Sequence, residues 1–237
     1  MTDTPDAAPA PTSERLNKHL ALHLGISRRQ ADDLIEKGKV LINGKPVILG
    51  SRVEPGDDVT VSGTPVAKQT AYRYVLLHKP VGYVSSRKQQ GTSPTIYDLV
   101  PASFRDLKPV GRLDRESSGI LLLTNDGDLA FRMTHPQFHK VKIYKVTIDH
   151  DLEPLHQQMI ADYGVTLADG PSKLALERIT ENNRTEWQVT MSEGRNRQIR
   201  RTFDALGYTV TKLHRTDFGN YSLHGIKPGA FQEVENK

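Results

Sequence analysis

The sequence PVGRLDRESSGILLL, residues 109–123, places an acidic side chain in a glycine-bracketed loop directly before a run of apolar residues. The run from Ile120 to Leu123 is apolar throughout, and the turn-forming sequence NDGD follows it at residues 125–128. A short apolar run between turn signals is typical of a buried strand. We therefore predict a core strand here, with the Asp114 carboxylate at its entrance, where it can face a cleft.

Composition limits the class of protein. The 237 residues allow one large domain or two small ones, and 36% hydrophobic residues are enough for a core. The mean hydropathy is −0.52, no apolar run has membrane-spanning length, and the N-terminus carries acids and prolines instead of a secretory signal. We therefore expect a soluble, cytoplasmic protein without a membrane partner.

The sequence lacks the residues or motifs that several kinds of chemistry require. There is no cysteine, which excludes disulfides, thiolate catalysis and cysteine-ligated zinc. We find no glycine-rich nucleotide-binding motif, and the nine histidines look scattered, without metal-ligand spacing. We predict that the protein uses no cofactor and no metal.

The positive charge is concentrated in two segments. The net charge is +4, but residues 15–45 contain seven Lys or Arg against three acids, and residues 184–215 have the same seven against three. Two basic segments in an otherwise nearly neutral chain indicate a polyanionic partner, although two solvated faces would also explain them.

The first quarter of the chain reads as a disordered tail, residues 1–13, followed by a small domain at 14–63. Leu16 and Leu20 have helical spacing, and Ser27 with Gln30 forms a capping box that starts a second helix. The Asn43-Gly44 dipeptide predicts a hairpin. The polar residues 64–71 are predicted to be a linker, and residues 72–237 a larger domain.

The small domain resembles the S4 RNA-binding module in its RLNK, SRR and VLINGK segments, residues 15–18, 27–29 and 40–45. Arg28 and Arg29 lie in the first turn of a helix, where cations oppose the macrodipole, and a nearby phosphate would account for them. The resemblance implies an RNA partner, with Arg15, Lys18, Arg28 and Arg29 contacting its backbone.

Three segments of the larger domain resemble the RsuA-like branch of the ribosomal RNA pseudouridine synthases. They are GRLD with SGILL at 111–122, KIY at 142–144, and EGRNRQIRR at 193–201. A fourth segment, HKPVG at 78–82, matches except that His78 replaces the usual Asn. The resemblance implies an α+β fold, in which a small S4-like domain is linked to a catalytic domain with a large mixed, mainly antiparallel sheet flanked by helices.

The same resemblance implies the roles of the site residues. Asp114 is expected to act at the sugar of a flipped-out uridine, by covalent attack or by elimination, and Arg195 to pair with it, since an arginine partner favours an ionised carboxylate. Tyr144 would stack on the base and assist proton removal at C5. Ile199 would cover the other face of the base, and Arg112 would fill the vacated space in the RNA.

Further basic residues are predicted to hold the RNA backbone without reading its sequence. They are Lys79, Arg197, Arg200 and Arg201. The expected partner is ribosomal RNA or a ribosome assembly intermediate, with 23S favoured slightly over 16S, and the chain is expected to be a monomer.

Two other functions also fit parts of the sequence. A non-catalytic RNA-binding or ribosome-associated protein would explain the S4-like segment and the basic charge, but would tolerate replacement of Asp114. A metal-dependent nuclease would use Asp114, Glu116, Asp126 and Asp128, and its activity would be abolished by EDTA.

Overall fold

The computed structural model describes residues 13–66 and 71–236, which divide into two compact units after Tyr72. Most of the predicted tail and the centre of the predicted linker, residues 67–70, lie outside the described residues. Among the described helices the longest has nine residues, and none has the length and hydropathy needed to cross a bilayer.

The N-terminal unit contains two helices and six short strands. They are β1 (Glu14–Arg15), α1 (Leu16–His23), α2 (Arg28–Glu36), β2 (Val40–Ile42), β3 (Lys45–Pro46), β4 (Arg52–Val53), β5 (Val59–Val61) and β6 (Thr64–Pro65). One sheet has the strand order β3-β2-β5-β6, and β1 pairs with β4 in a second sheet. Strand β6 lies where we predicted linker, so the ordered unit extends past residue 63.

Local sequence accounts for the shape of this unit. The Ser27 side chain accepts a hydrogen bond from the Gln30 amide, and the Gln30 side chain accepts one from the Ser27 amide, which confirms the capping box. Asn43 and Gly44 both have positive φ, as the predicted hairpin turn requires. Leu16 and Leu20 are fully buried in the core between the helices and the strands.

The C-terminal unit is built on one large sheet. Its strands are β7 (Tyr74–Lys79), β8 (Lys108–Pro109), β9 (Ser118–Thr124), β10 (Lys142–Ile148), β11 (Val165–Leu167), β12 (Gly170–Ser172), β13 (Ala175–Arg178), β14 (Glu186–Met191), β15 (Val210–Phe218), β16 (Tyr221–Ser222) and β17 (Phe231–Val234). Its α-helices are α3 (Gly127–Thr134), α4 (Pro154–Gln158) and α5 (Gln198–Asp204). Single helical turns cover Ile96–Asp98, Ala102–Phe104, Pro136–Phe138 and Met159–Tyr163.

The large sheet has nine strands in the order β13-β14-β10-β15-β9-β7-β17, with β16 on β15 and β8 on β9. Its described pairs are antiparallel except β9 with β15, which run parallel, so the sheet is mixed as predicted. Strand β11 forms a separate hairpin with β12.

Strand β9 is the predicted core strand. Residues Ile120 and Leu122 pack into a hydrophobic cluster on one face of the sheet, and Leu121 and Leu123 pack into another on the opposite face. All four side chains have zero exposure. Burial on both faces explains why the run is apolar throughout, without the alternation of a strand that has one solvated face.

Candidate active site

A cavity of about 280 Å³ lies in the C-terminal unit where four segments meet. They are the loop before β9, strand β10, strand β15 and the start of α5. The cavity is lined by Gly111, Arg112, Leu113, Asp114, Ser117, Thr134, Lys142, Tyr144, Met191, Gly194, Arg195, Asn196, Arg197, Gln198, Ile199, Leu213, Arg215 and Phe218. Segments far apart in sequence that were predicted to hold the site therefore do meet.

The loop that carries Asp114 is fixed mainly through its backbone. Gly111 has φ +69°, a conformation that favours glycine, and the Ser117 amide donates to the Asp114 carbonyl at 3.1 Å. The Ser85 hydroxyl donates to the Leu113 carbonyl at 2.9 Å. These bonds leave the Asp114 side chain about one-third exposed at the cavity.

Lys79, the last residue of β7, also holds the Asp114 loop in place. Its side chain is fully buried, and its ammonium donates to the carbonyls of Pro80 at 3.1 Å, Asp114 at 3.0 Å and Ser117 at 2.6 Å. Burial lowers the pKa of Lys79 to about 8, against a weaker opposing effect from the Asp114 carboxylate. The prediction that Lys79 contacts RNA phosphate is therefore wrong, because the group has no access to solvent.

Asp114 pairs with Arg197, whose guanidinium Nη1 lies 3.5 Å from Asp114 Oδ2. The same nitrogen lies 3.2 Å from Glu116 Oε2. Arg197 caps the N-terminus of α5 with φ +48°, a left-handed conformation that is uncommon for a residue other than glycine. This conformation accompanies a side chain directed at the acidic loop.

The predicted pairing of Arg195 with Asp114 is wrong in this structure. The Arg195 guanidinium donates to the backbone carbonyls of Asp169, Gly170 and Pro171, at 2.7 to 3.0 Å, and to the Asp169 carboxylate at 3.0 Å. The turn between β11 and β12 and the start of β12 supply these acceptors for the two terminal nitrogens, whereas the buried Arg195 Nε has no hydrogen-bond partner. Arg195 lines the cavity but serves to hold this hairpin against the start of α5.

Arg200 and Arg201 are also bound to protein oxygens. Arg200 donates to the Val210 carbonyl at 2.6 Å and to the Glu116 carbonyl at 3.1 Å, which ties α5 to the Asp114 loop. Arg201 forms two hydrogen bonds with the Asp169 carboxylate, at 3.0 and 2.8 Å. The Nε atoms of Arg200 and Arg201 are buried without a hydrogen-bond partner. That both arginines contact RNA phosphates stays a prediction.

The three other predicted substrate contacts line the cavity with Asp114. Tyr144 is 8% exposed and comes from β10, and Ile199 is 4% exposed and comes from the first turn of α5. Arg112 is exposed, two residues before Asp114. The cavity thus combines an aromatic and an aliphatic wall with a carboxylate and an arginine.

Two charged lining residues, Lys142 and Arg215, were not predicted for the site. Lys142 Nζ donates to the Glu193 carbonyl at 3.2 Å, and burial, followed by the nearby Arg215, lowers the pKa of Lys142. Arg215 is 2% exposed and donates twice to the Ile120 carbonyl, with its guanidinium 4.7 Å from the Phe218 ring centroid. Strand alternation from Tyr144 identifies Lys142, but only the pairing of β15 with β9 places Arg215.

The predicted RNA contacts of the N-terminal unit lie on or beside its helices. Arg15 and Arg29 are exposed, and Arg28, also exposed, donates to the Asn17 side chain at 3.0 Å. Lys18 Nζ lies 4.0 Å from a Glu14 carboxylate oxygen.

The carboxylates of the nuclease hypothesis do not converge. Asp126 follows β9, whereas Asp114 precedes it, and a seven-residue strand separates the two by roughly 20 Å. Asp126 caps α3 by accepting from the Asp128 and Leu129 amides, and its other oxygen accepts from the Tyr74 hydroxyl. Its role in this structure is that of a helix cap.

The nine-stranded mixed sheet carries a carboxylate–arginine pair at a partly apolar cavity, an arrangement suited to an enzyme. The family profile described as RNA pseudouridylate synthase matches residues 73–205, and the S4 domain profile matches residues 14–59. The chain belongs to the RNA pseudouridylate synthase family.

Individual proteins support this assignment. The chain is 37% identical over 227 residues to ribosomal large subunit pseudouridine synthase B of Bacillus subtilis, covering 93% of this chain and 92% of that protein. It is 38% identical over 225 residues to the dual-specificity RNA pseudouridine synthase RluF of Salmonella typhi, covering 94% and 76%. A crystal structure of a pseudouridylate synthase superposes with a TM-score of 0.67 at 31% identity, covering 93% and 96%.

Proposed function

We propose that this enzyme converts a uridine of ribosomal RNA to pseudouridine in the cytoplasm, with the large-subunit RNA as the preferred substrate. One of its relatives is named for the large ribosomal subunit, and the other is named dual-specific. The observation that carries the proposal is the Asp114–Arg197 pair at a cavity with Tyr144 and Ile199 in its walls.

The reaction leaves the atomic composition of the nucleoside unchanged. The bond between C1′ and N1 breaks, the base turns, and a bond from C1′ to C5 forms, after which C5 loses a proton and N1 carries one. We propose that the Asp114 carboxylate acts at the sugar, where negative charge stabilises or attacks the electron-poor C1′. The Arg197 guanidinium, 3.5 Å from this carboxylate, orients it.

The apolar walls suit a base that has to turn. Tyr144 and Ile199 offer flat and aliphatic surfaces to the two faces of the pyrimidine without fixing its edge. Tyr144 also carries the hydroxyl that we propose to assist proton removal at C5. A uridine must leave its stack to reach such a cavity, and the exposed Arg112 side chain is proposed to fill the gap.

We assign binding of the RNA backbone to exposed cations and to the half-buried Lys18. In the N-terminal unit these are Arg15, Lys18, Arg28 and Arg29, and in the C-terminal unit Arg112 and Arg197. Phosphate contacts of this kind set position and affinity, and leave the choice of uridine to the fold of the RNA.

The experiment that tests the proposal is pseudouridine mapping of ribosomal RNA from cells with and without the gene. We expect one or a few uridines of the large-subunit RNA to lose modification in the deletion and to regain it when the purified protein is added. An unchanged map would refute the proposal and leave a non-catalytic RNA-binding protein as the alternative. A change confined to the small-subunit RNA would refute only the substrate preference.

A further inference from the structure

The N-terminal unit contains a cluster of possible metal ligands that the activity does not use. His19 and His23 lie one turn apart on α1, and Glu14 lies on β1 immediately before that helix. One ligand atom from each side chain lies within 4.8 Å of the others. The two imidazole rings have centroids 4.2 Å apart.

Two features indicate that the cluster is suited to a cation. His23 Nδ1 is buried and has no hydrogen-bond partner, and a buried polar atom without a partner costs free energy. The His19 ring nitrogen Nδ1 lies 2.8 Å from a Glu14 carboxylate oxygen, so the carboxylate already faces the imidazoles.

We propose that Glu14, His19 and His23 form a binding site for a divalent transition-metal ion, with Zn²⁺ as the expected occupant. Two imidazoles and a carboxylate are a common zinc ligand set, and a fourth position remains for water. Histidines at positions i and i+4 present both rings on one side of a helix. The prediction that the histidines lack metal-ligand spacing is wrong for this pair.

Such an ion would fasten a weak part of a small domain. Strand β1 has only two residues and is paired with β4 through Glu14–Val53 and Arg15–Arg52. The core of the unit contains seven buried residues, and domains of this size often depend on a metal or disulfides. In a chain without cysteine, a histidine–carboxylate site would link β1 to α1.

The proposal can be tested with Zn²⁺ alone on the full-length protein after EDTA treatment and removal of the chelator. Isothermal titration calorimetry gives stoichiometry and affinity, and NMR of the histidine side chains reports which rings respond. The test variant carries His19→Gln and His23→Gln. The control is His224→Gln, which removes one exposed imidazole from the other unit.

We expect one Zn²⁺ per chain, with changes centred on the His19 and His23 resonances of the unmodified protein. The double variant should lose affinity by roughly 100-fold or more, because two of three ligands are gone, and the control should bind like the unmodified protein. Mg²⁺ should not compete, since it prefers oxygen ligands. Undisturbed His19 and His23 resonances at saturating Zn²⁺, or full affinity in the double variant, would overturn the proposal. Neither readout depends on isomerase activity.

Discussion

Replacing Lys79 with methionine removes the hydrogen bonds that the buried ammonium donates to the Asp114 loop. Methionine has a similar length and fills the same buried space, but it carries no charge and no donor. The Ser117 and Pro80 carbonyls then lose hydrogen bonds of 2.6 and 3.1 Å, and the Asp114 carbonyl loses one of 3.0 Å but still accepts from the Ser117 amide. An unpaired buried carbonyl costs about 1–3 kcal/mol when no water replaces the donor.

The buried charge of Lys79 has the opposite effect on stability, because burial disfavours the ammonium in the folded protein. Its pKa is lowered from 10.5 to about 8, and this interval corresponds to roughly 3 kcal/mol by which the folded protein disfavours the ammonium relative to the amine. Removing the ammonium therefore relieves a cost of the same order as the hydrogen bonds that are lost. At pH 7 we expect the free energy of unfolding to change by less than about 2 kcal/mol.

The pH dependence of stability then separates the two proteins. Between pH 8 and 10.5 the unfolded chain retains the Lys79 proton that the folded chain has released, so the free energy of unfolding of the unmodified protein rises with pH. We expect a rise of roughly 3 kcal/mol relative to Lys79→Met across this interval, and none below pH 8.

Urea unfolding at pH 7.5, 9 and 10.5 measures this difference, and Lys212→Met, at an exposed position, serves as the control. In the same variant the loop should shift, and turnover should fall by roughly 10- to 100-fold with little change in RNA affinity. Parallel stability curves for Lys79→Met and the unmodified protein would refute the reasoning, because they would mean that the buried lysine titrates normally.

Three other substitutions test the account at separate points. Gly119→Ala should destabilise the protein by more than about 3 kcal/mol in thermal unfolding, because a Cβ at this position would meet the Arg215 backbone where β9 pairs with β15. Gly127→Ala is the control: a Cβ there would have open space, so this substitution should be neutral or stabilising. Arg197→Gln should lower the rate of single-turnover pseudouridine formation at least tenfold, and Arg197→Lys should lower it by less. Equal losses in the two variants would show that catalysis does not depend on the positive charge at this position. Arg29→Ala should reduce the slope of log affinity against log salt by about one, as measured by filter binding, and an unchanged slope would remove Arg29 from the RNA interface.

Elements that are determined by a few neighbouring residues could be predicted from the sequence alone. The apolar run of β9, the capping box at Ser27 and the Asn43-Gly44 turn follow from patterns within a few residues, and each is present as predicted. The convergence of Asp114, Tyr144 and Ile199 on one cavity followed from resemblance to a family, which carries information about tertiary contacts that local patterns lack.

Side-chain partners set by distant segments were not predictable in this way. Nothing in the local sequence distinguishes the roles of Arg195 and Arg197. The β11–β12 turn provides hydrogen-bond acceptors for Arg195, whereas Arg197 has a left-handed backbone conformation. Lys79 reads as the surface end of a strand, and its burial depends on the loop that folds over it. His19 and His23 have a four-residue spacing on α1, a local pattern that predicts two imidazoles on one side of the helix.

The central claim is that the Asp114 carboxylate performs the chemistry and does not merely shape the loop. Single-turnover pseudouridine formation by Asp114→Asn tests it most directly, because asparagine keeps the size of the side chain and removes its charge. We predict a loss of at least about 10³-fold with RNA affinity unchanged within about twofold. A variant that still forms pseudouridine within tenfold of the unmodified rate would contradict the account.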